Sequence, residues 1–243
     1  METEIEYLQN YNIHKYDLPL VSVDLAIFTL RDNVLQILLV ERNEFPHKGC
    51  WALPGGFVNQ QLDRDLQETA ARKLQEKTGV RTPYLEQVVS VGNDRRDPRG
   101  WSITILYMAL IPYVAIEVAA GAGTNARWWN VTDARQLTLA FDHTDLLLQA
   151  RERLRSKTAY TVLPVHVLEP PFTLTRLQQA FEELLGEPVE KKSFRRRILN
   201  ADVLEEVGED LPEGGRGRRA ILYRPRRGSL QHVFSRMMLA DLM

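Results

Sequence analysis

Lys73, Glu76 and Lys77 are spaced so that, on a helix, all three side chains leave from one face. Two ammonium groups beside a single carboxylate repel a divalent cation. The same amines suit the oxygens of a pyrophosphate, to which they donate charge-assisted hydrogen bonds. A solvated face of mixed charge is the plain alternative for such a run. Further along, Lys191, Lys192, Arg195, Arg196 and Arg197 carry positive charge on one side of a segment whose Phe194 and Ile198, four apart, supply an inward face. That pattern suits the major groove of DNA, where arginine reads guanine edges and lysine or arginine holds phosphates.

A Gly-rich loop follows, with Arg216, Arg218 and Arg219 just ahead of the strand-like Ala220–Arg224. Flexible backbone tipped with guanidinium groups is what a wing needs to enter a narrow, electronegative minor groove. One charge run alone reads as solvated surface; two at corresponding places of a helix–helix–hairpin pattern point to a DNA-binding surface. Glu205, Glu206, Glu209, Asp210 and Glu213 separate the two patches. The whole-chain charge of -1, from 31 basic and 32 acidic side chains, therefore conceals a local site and excludes a uniformly basic coat.

These groups need elements to position them. Leu20–Phe28 and Val34–Val40 read as two strands joined by a turn at Arg31-Asp32-Asn33. Leu66, Ala70 and Leu74 give Asp65–Lys77 a helical stripe, which Gly79 closes. Strands are expected at Trp51–Leu53, Glu86–Val91, Ser102–Leu110 and Ala126–Trp129, and a helix at Asp142–Lys157. This is an α+β domain over residues 1–160. Pro164, Pro170 and Pro171 make residues 161–171 a semi-rigid linker by expectation. In residues 172–243, Thr173 caps a helix Leu174–Leu185 stopped by Gly186 and Pro188, a second helix spans Glu190–Leu199, and Val203–Val207 and Ala220–Arg224 form a hairpin. That order is a winged helix-turn-helix.

A chain of 243 residues that is 44% hydrophobic has room for two such domains. The single Cys50 excludes an intramolecular disulfide and fits a reduced cytoplasm. The N-terminal stretch lacks the basic start and apolar core of a signal peptide, and no apolar run approaches the roughly 20 residues that span a bilayer, so no membrane partner is expected. No metal-ligand spacing links Cys50 with the histidines, and no zinc site is expected.

The stretch Gly55–Val80 (GGFVNQQLDRDLQETAARKLQEKTGV) resembles the Nudix box, G-x5-E-x7-R-E-U-x-E-E-x-G-U with U aliphatic. Arg72, Leu74, Glu76, Gly79 and Val80 stand where that family has them, and Trp51–Gly56 resembles its lead-in. In the family the box glutamates hold Mg²⁺ or Mn²⁺ against a pyrophosphate. Here Lys73 and Lys77 replace two of them, Arg64 stands where the first belongs, and the loop after Gly56 is longer by two residues. Metal-dependent hydrolysis is thus not expected: catalytic residues none, metal none, cofactor none required.

Gly92–Trp101 (GNDRRDPRGW) resembles the loop bordering the cleft in Nudix proteins that handle ADP-ribose or NAD-like dinucleotides. By that resemblance Arg95, Arg96 and Arg99 meet phosphates and Asp97 accepts from a ribose hydroxyl. Core packing is the expectation for Trp101 and a structural role for Trp128-Trp129. Arg42 and Phe57 complete the proposed rim.

The order of the box, the GNDRRDPRGW loop, Ala140–His143, and the SFRRR segment containing Ser193 before a GRGRR wing resembles, over nearly the whole chain, the Nudix-related transcriptional regulators of NAD biosynthesis, the NrtR family. The resemblance implies a Nudix α/β/α sandwich with a mixed sheet, then a winged helix. It also implies a homodimeric repressor on a palindromic DNA operator, with ADP-ribose or a related NAD metabolite as effector. An active Nudix pyrophosphatase is the first competing reading; a nonspecific nucleic-acid or scaffold protein is the second.

Overall fold

The computed structural model describes residues 3–81, 84–114, 125–210, 219–235 and 237–238. After a short helix α1 (Glu4–Asn10) and a 3-10 turn Ile13–Lys15, β1 (Leu20–Arg31) and β2 (Val34–Glu41) form the expected hairpin. Its turn residues Asp32 and Asn33 have φ of 52° and 60°, the left-handed conformation that two-residue hairpin turns demand. Then come β3 (Trp51–Ala52), β4 (Gly55–Phe57), α2 (Leu66–Thr78), β5 (Tyr84–Asn93), β6 (Ser102–Leu110), β7 (Ala126–Asn130), α3 (Val131–Ala134) and α4 (His143–Thr158).

The strands make one sheet in the order β3-β2-β1-β6-β5, with β4 on β1 and β7 on β2. It is mixed: β1 and β6 are parallel, and the other pairs are antiparallel. Alternation along β1 builds two cores. Val23, Leu25 and Ile27 face Ala70 and Leu74 of α2, whereas Ala26, Phe28 and Leu30 join Leu146, Leu147, Ala150 and Leu154 of α4. α2 is capped by the Asp65 side chain and ends at Gly79, φ 71°.

The chain continues through a 3-10 helix Leu163–Val167 to β8 (Phe172–Thr173), α5 (Leu174–Leu185), α6 (Lys191–Asn200), β9 (Leu204–Asp210) and β10 (Ala220–Pro225), with sheet order β8-β10-β9. This is the winged helix. α5 buries Leu177, Phe181 and Leu184, and Phe181 meets Phe194 of α6 edge-on at 5.2 Å.

The linker expectation needs correction. Every residue from Thr161 to Leu168 is buried, and only Glu169–Pro171 is exposed. Prolines do stop the α-helix there, but Val162, Leu163, Val165, Val167 and Leu168 belong to the core cluster that also holds α4 and α5. The two folds therefore share one hydrophobic core rather than being tethered through solvent. Among the described residues, no helix is long and apolar enough to cross a membrane.

Candidate nucleotide cleft and DNA interface

A cleft of about 290 Å³ opens where β1, β4 and the Gly92–Trp101 loop meet the N-terminus of α4. Its floor is a buried polar network. Asp24, the lone acid inside β1, accepts a 2.7 Å hydrogen bond from Thr104 Oγ1 and lies 3.5 Å from Arg96. Arg96 in turn donates twice to Asp142 at 3.0 Å. His143 Nδ1 accepts from the Leu53 amide at 2.9 Å, which leaves its proton on Nε2, 3.7 Å from Asp24. Burial pushes the His143 pKa down, so the ring is neutral. Gly55 is obligatory at this floor: a Cβ there would stand 2.3 Å from Asp24 Oδ1.

Cations and aromatic rings line the walls. Arg42 lies over Phe141 at 4.8 Å and is anchored by donating to the Pro46 carbonyl at 2.8 Å. Arg99 lies over Phe57 at 5.0 Å and is held by Asp97, whose carboxylate takes its Nη2 at 2.7 Å and Nε at 3.0 Å. That pairing holds the Asp97 carboxyl below the usual range. Lys77 also lines the cleft and has no ion-pair partner among the described residues. Fixed cations next to aromatic faces suit a ligand that combines phosphates with a planar base.

Of the residues expected from the sequence, Arg42, Phe57, Lys77, Arg96, Asp97 and Arg99 line this cleft; Lys73, Glu76 and Arg95 do not. Lys73 runs beneath Gly56, and its ammonium meets Glu76 at 2.9 Å. Partial burial opposes ionisation of Glu76, but Lys73 and Arg72 outweigh it and hold the carboxyl below its usual range. Arg95 points into solvent with its side chain 92% exposed. Arg96 lines the cleft with its guanidinium held by Asp142 and close to Asp24. Trp101, expected in the core, is 51% exposed and lies across Gly92, which has no side chain to displace it.

The sequence reading missed Asp24, Asp63, Phe141, Asp142 and His143 as structural parts of the site. A single acid in an apolar strand was the signal for Asp24. The Ala140–His143 stretch carries only the family resemblance as its signal. Asp63 takes both Nε and Nη2 of Arg72, at 2.7 and 2.6 Å, and pins the box loop to α2; Arg72 holds its carboxyl far below the ordinary range. Arg64, at the position of the first box glutamate, pairs with Glu68 instead.

A hard divalent cation needs several oxygen ligands at once. Among the described residues, no three acidic, His or Cys side chains come together in that way, and at the box Glu76 is paired with Arg72 and Lys73.

On the winged helix, Glu190 caps α6 by accepting from the Lys192 and Ser193 amides. Phe194 and Ile198 are fully buried, so Lys191, Lys192 and Arg196 take the outer side. Arg195 reaches back toward Thr175 at 3.3 Å, and Arg197 donates to the Met237 carbonyl. Arg219 pairs with Glu209 at 3.1 Å and Arg224 with Glu205 at 2.6 Å, so β9 acids partly neutralise β10. Arg216 and Arg218 lie outside the described residues.

α4 ties the two sites together. Its N-terminus supplies the cleft with Asp142 and His143; its far half donates from Arg151 to the Leu184 carbonyl at 2.8 Å and from Arg155 to the Leu185 carbonyl at 2.9 Å, capping the C-terminus of α5. Glu183 of α5 also accepts the Leu35 amide of β2 at 2.9 Å.

Comparison with known proteins gives two family matches along the chain. Residues 21–150 match the NUDIX domain, and residues 164–224 match the NrtR DNA-binding winged helix domain. The chain is 48% identical to the ADPR responsive transcriptional repressor NtrR of Acinetobacter baylyi, over 91% of this chain and 88% of that one. Its structure is similar to Shewanella oneidensis NrtR complexed with a 27mer DNA, with a TM-score of 0.82, 44% identity, and coverage of 89% and 98%. It is also similar to the NUDIX domain of that protein complexed with ADP ribose, with a TM-score of 0.59, 47% identity, and coverage of 63% and 99%.

Proposed function

The chain belongs to the NrtR family, both of whose domains it carries, and on that premise we propose that it is a transcriptional repressor whose Nudix cleft senses ADP-ribose or a related NAD-derived nucleotide. It works as a cytoplasmic homodimer on a palindromic operator and does not hydrolyse its effector. The observation that carries the receptor reading is the charge at the cleft. Lys77 presents an ammonium without an ion-pair partner among the described residues where relatives with the full box carry a metal-binding glutamate, and Glu76 is occupied by Arg72 and Lys73. Amines grip a pyrophosphate but generate no metal-bound nucleophile.

In this reading Lys77, Arg42 and Arg99 hold phosphates, Phe57 and Phe141 pack on the base, and the Asp24–Arg96–Asp142 network keeps the cleft in shape. Effector engages groups contiguous with the N-terminus of α4. A rigid helix that caps α5 through Arg151 and Arg155 carries any displacement to α6, since Phe181 and Phe194 interlock. Small rotations there mismatch the two basic helices of a dimer with successive major grooves, and operator affinity falls. Lys191, Lys192, Ser193 and Arg196, with Arg216, Arg218 and Arg219 on the wing, make the DNA contacts; Arg195 and Arg197 support them.

The test is a mobility-shift titration on a palindromic duplex selected from a random pool, with and without ADP-ribose. Release of the duplex at saturating ADP-ribose is expected. Unchanged retention would remove either the effector or the coupling, and equal affinity for random duplexes would favour the nonspecific binder.

A further inference from the structure

Residues 3–18 carry an apolar load that the chain does not bury. α1 and the following 3-10 turn contain no buried residue, yet Tyr7 is 51% exposed, Leu8 62%, Tyr11 46%, Tyr16 59% and Leu18 55%. The helix is nonetheless well formed, with Thr3 and Glu6 making a reciprocal capping box. The arm joins the body where Leu20 N–H donates to the Trp101 carbonyl at 3.1 Å and Ser22 pairs with Phe57. Trp101, Phe57 and Leu62, at 51%, 45% and 65% exposure, add exposed apolar side chains on the segments that flank the foot of the arm.

With Ile5 and Ile13 also exposed on the arm, the arm and this sheet end expose ten large apolar side chains, on the order of 1,000 Å². Monomeric soluble proteins rarely leave more than a few hundred contiguous Å² uncovered, and a stable dimer takes about 800 Å² per partner. Donor arm and receiving surface lie side by side on one chain, the arrangement that a two-fold axis satisfies by placing each arm on the other copy.

We propose that residues 3–18 cross to a second copy of this chain and pack on its Phe57–Leu62–Trp101 surface, forming the homodimer contact. The proposal rests on the homodimer reading and names its surface. Phe57 belongs to this surface and, beneath Arg99, to the cleft wall, so the dimer contact and the effector site share a side chain.

The test is light scattering on the full chain and on a Tyr7→Ser/Leu8→Ser/Tyr11→Ser variant, which removes within one chain only the Tyr7–Tyr11 ring contact at 5.6 Å. The parent is expected to run at twice the monomer mass, and the variant to dissociate at least 100-fold more readily with an unchanged circular-dichroism spectrum. A variant as dimeric as the parent overturns the arm contact and leaves the homodimer intact; a monomeric parent overturns both. A photo-reactive amino acid in place of Tyr11, in a mixture of ¹⁴N and ¹⁵N chains, gives a readout independent of the variant. Mixed-isotope adducts onto residues 57–62 or 101 are expected, and adducts within one chain or elsewhere overturn the proposal.

Discussion

Lys77 and Lys73 stand four residues apart with the same formal charge, and the structure separates them sharply. Lys77 lines the cleft without an ion-pair partner among the described residues, whereas Lys73 lies under Gly56 with its ammonium on Glu76. A hydrogen bond from a charged donor contributes about 1.5–3 kcal/mol, and about 1.4 kcal/mol is a factor of ten in affinity. Lys77 is only half-buried, which places it at the low end, so Lys77→Gln is expected to weaken ADP-ribose binding by roughly tenfold. Lys73→Gln removes an ammonium already neutralised by its neighbour and is expected to stay within about threefold. Neither variant should shift stability by more than about 0.5 kcal/mol. Calorimetric titration with ADP-ribose at two ionic strengths measures this, and the Lys77 effect should shrink as salt rises. Equal losses in both variants, or a Lys77→Gln loss inside threefold, would refute the assignment of the phosphate-binding amine.

Arg196→Ala should weaken operator binding while leaving ADP-ribose affinity unchanged. If Arg196 holds a phosphate the loss is uniform across duplex sequences and the salt slope falls by about one; if it reads a base, specificity relaxes at one position. Phe181→Ala deletes a fully buried ring between α5 and α6 and should cost about 3–5 kcal/mol in denaturant unfolding, with operator affinity falling more than ADP-ribose affinity. His166 is buried against Tyr84, and burial lowers its pKa from 6.5 to about 4. Below pH 6.5 the unfolded chain therefore binds a proton that the native chain refuses. Stability should fall between about pH 6.5 and 4, by something on the order of 3 kcal/mol, and His166→Leu should flatten that slope in pH-dependent denaturant titrations.

Much of this molecule is legible from local patterns. The alternation in Leu20–Phe28, the stripe on Leu66–Leu74 and the Thr173 cap with Gly186 each encode an element within a dozen residues, and the elements form as read. Residues 161–171 differ from the linker expectation because proline content reports backbone stiffness, whereas burial depends on what lies opposite; α4, α5 and β1 offer the surface that Leu163, Val165 and Val167 fill. Trp101 misled for the converse reason, since Gly92 across the sheet leaves it a surface to lie on instead of a core to enter. The floor of the cleft was out of reach because it is long-range. Asp24 meets Thr104, and Arg96 meets Asp142, contacts that sequence spacing does not disclose. Lys73 and Lys77 share a helix face as expected, but only the fold decides which of the two faces the cleft.

Incubating the full chain with ADP-ribose and Mg²⁺ or Mn²⁺, while following both nucleotide products and operator release, tests the receptor reading most directly. The expected result is release of the duplex with ADP-ribose recovered intact and no AMP formed. Steady production of AMP and ribose phosphate, abolished by Glu76→Gln, would contradict it and make the cleft a pyrophosphatase site.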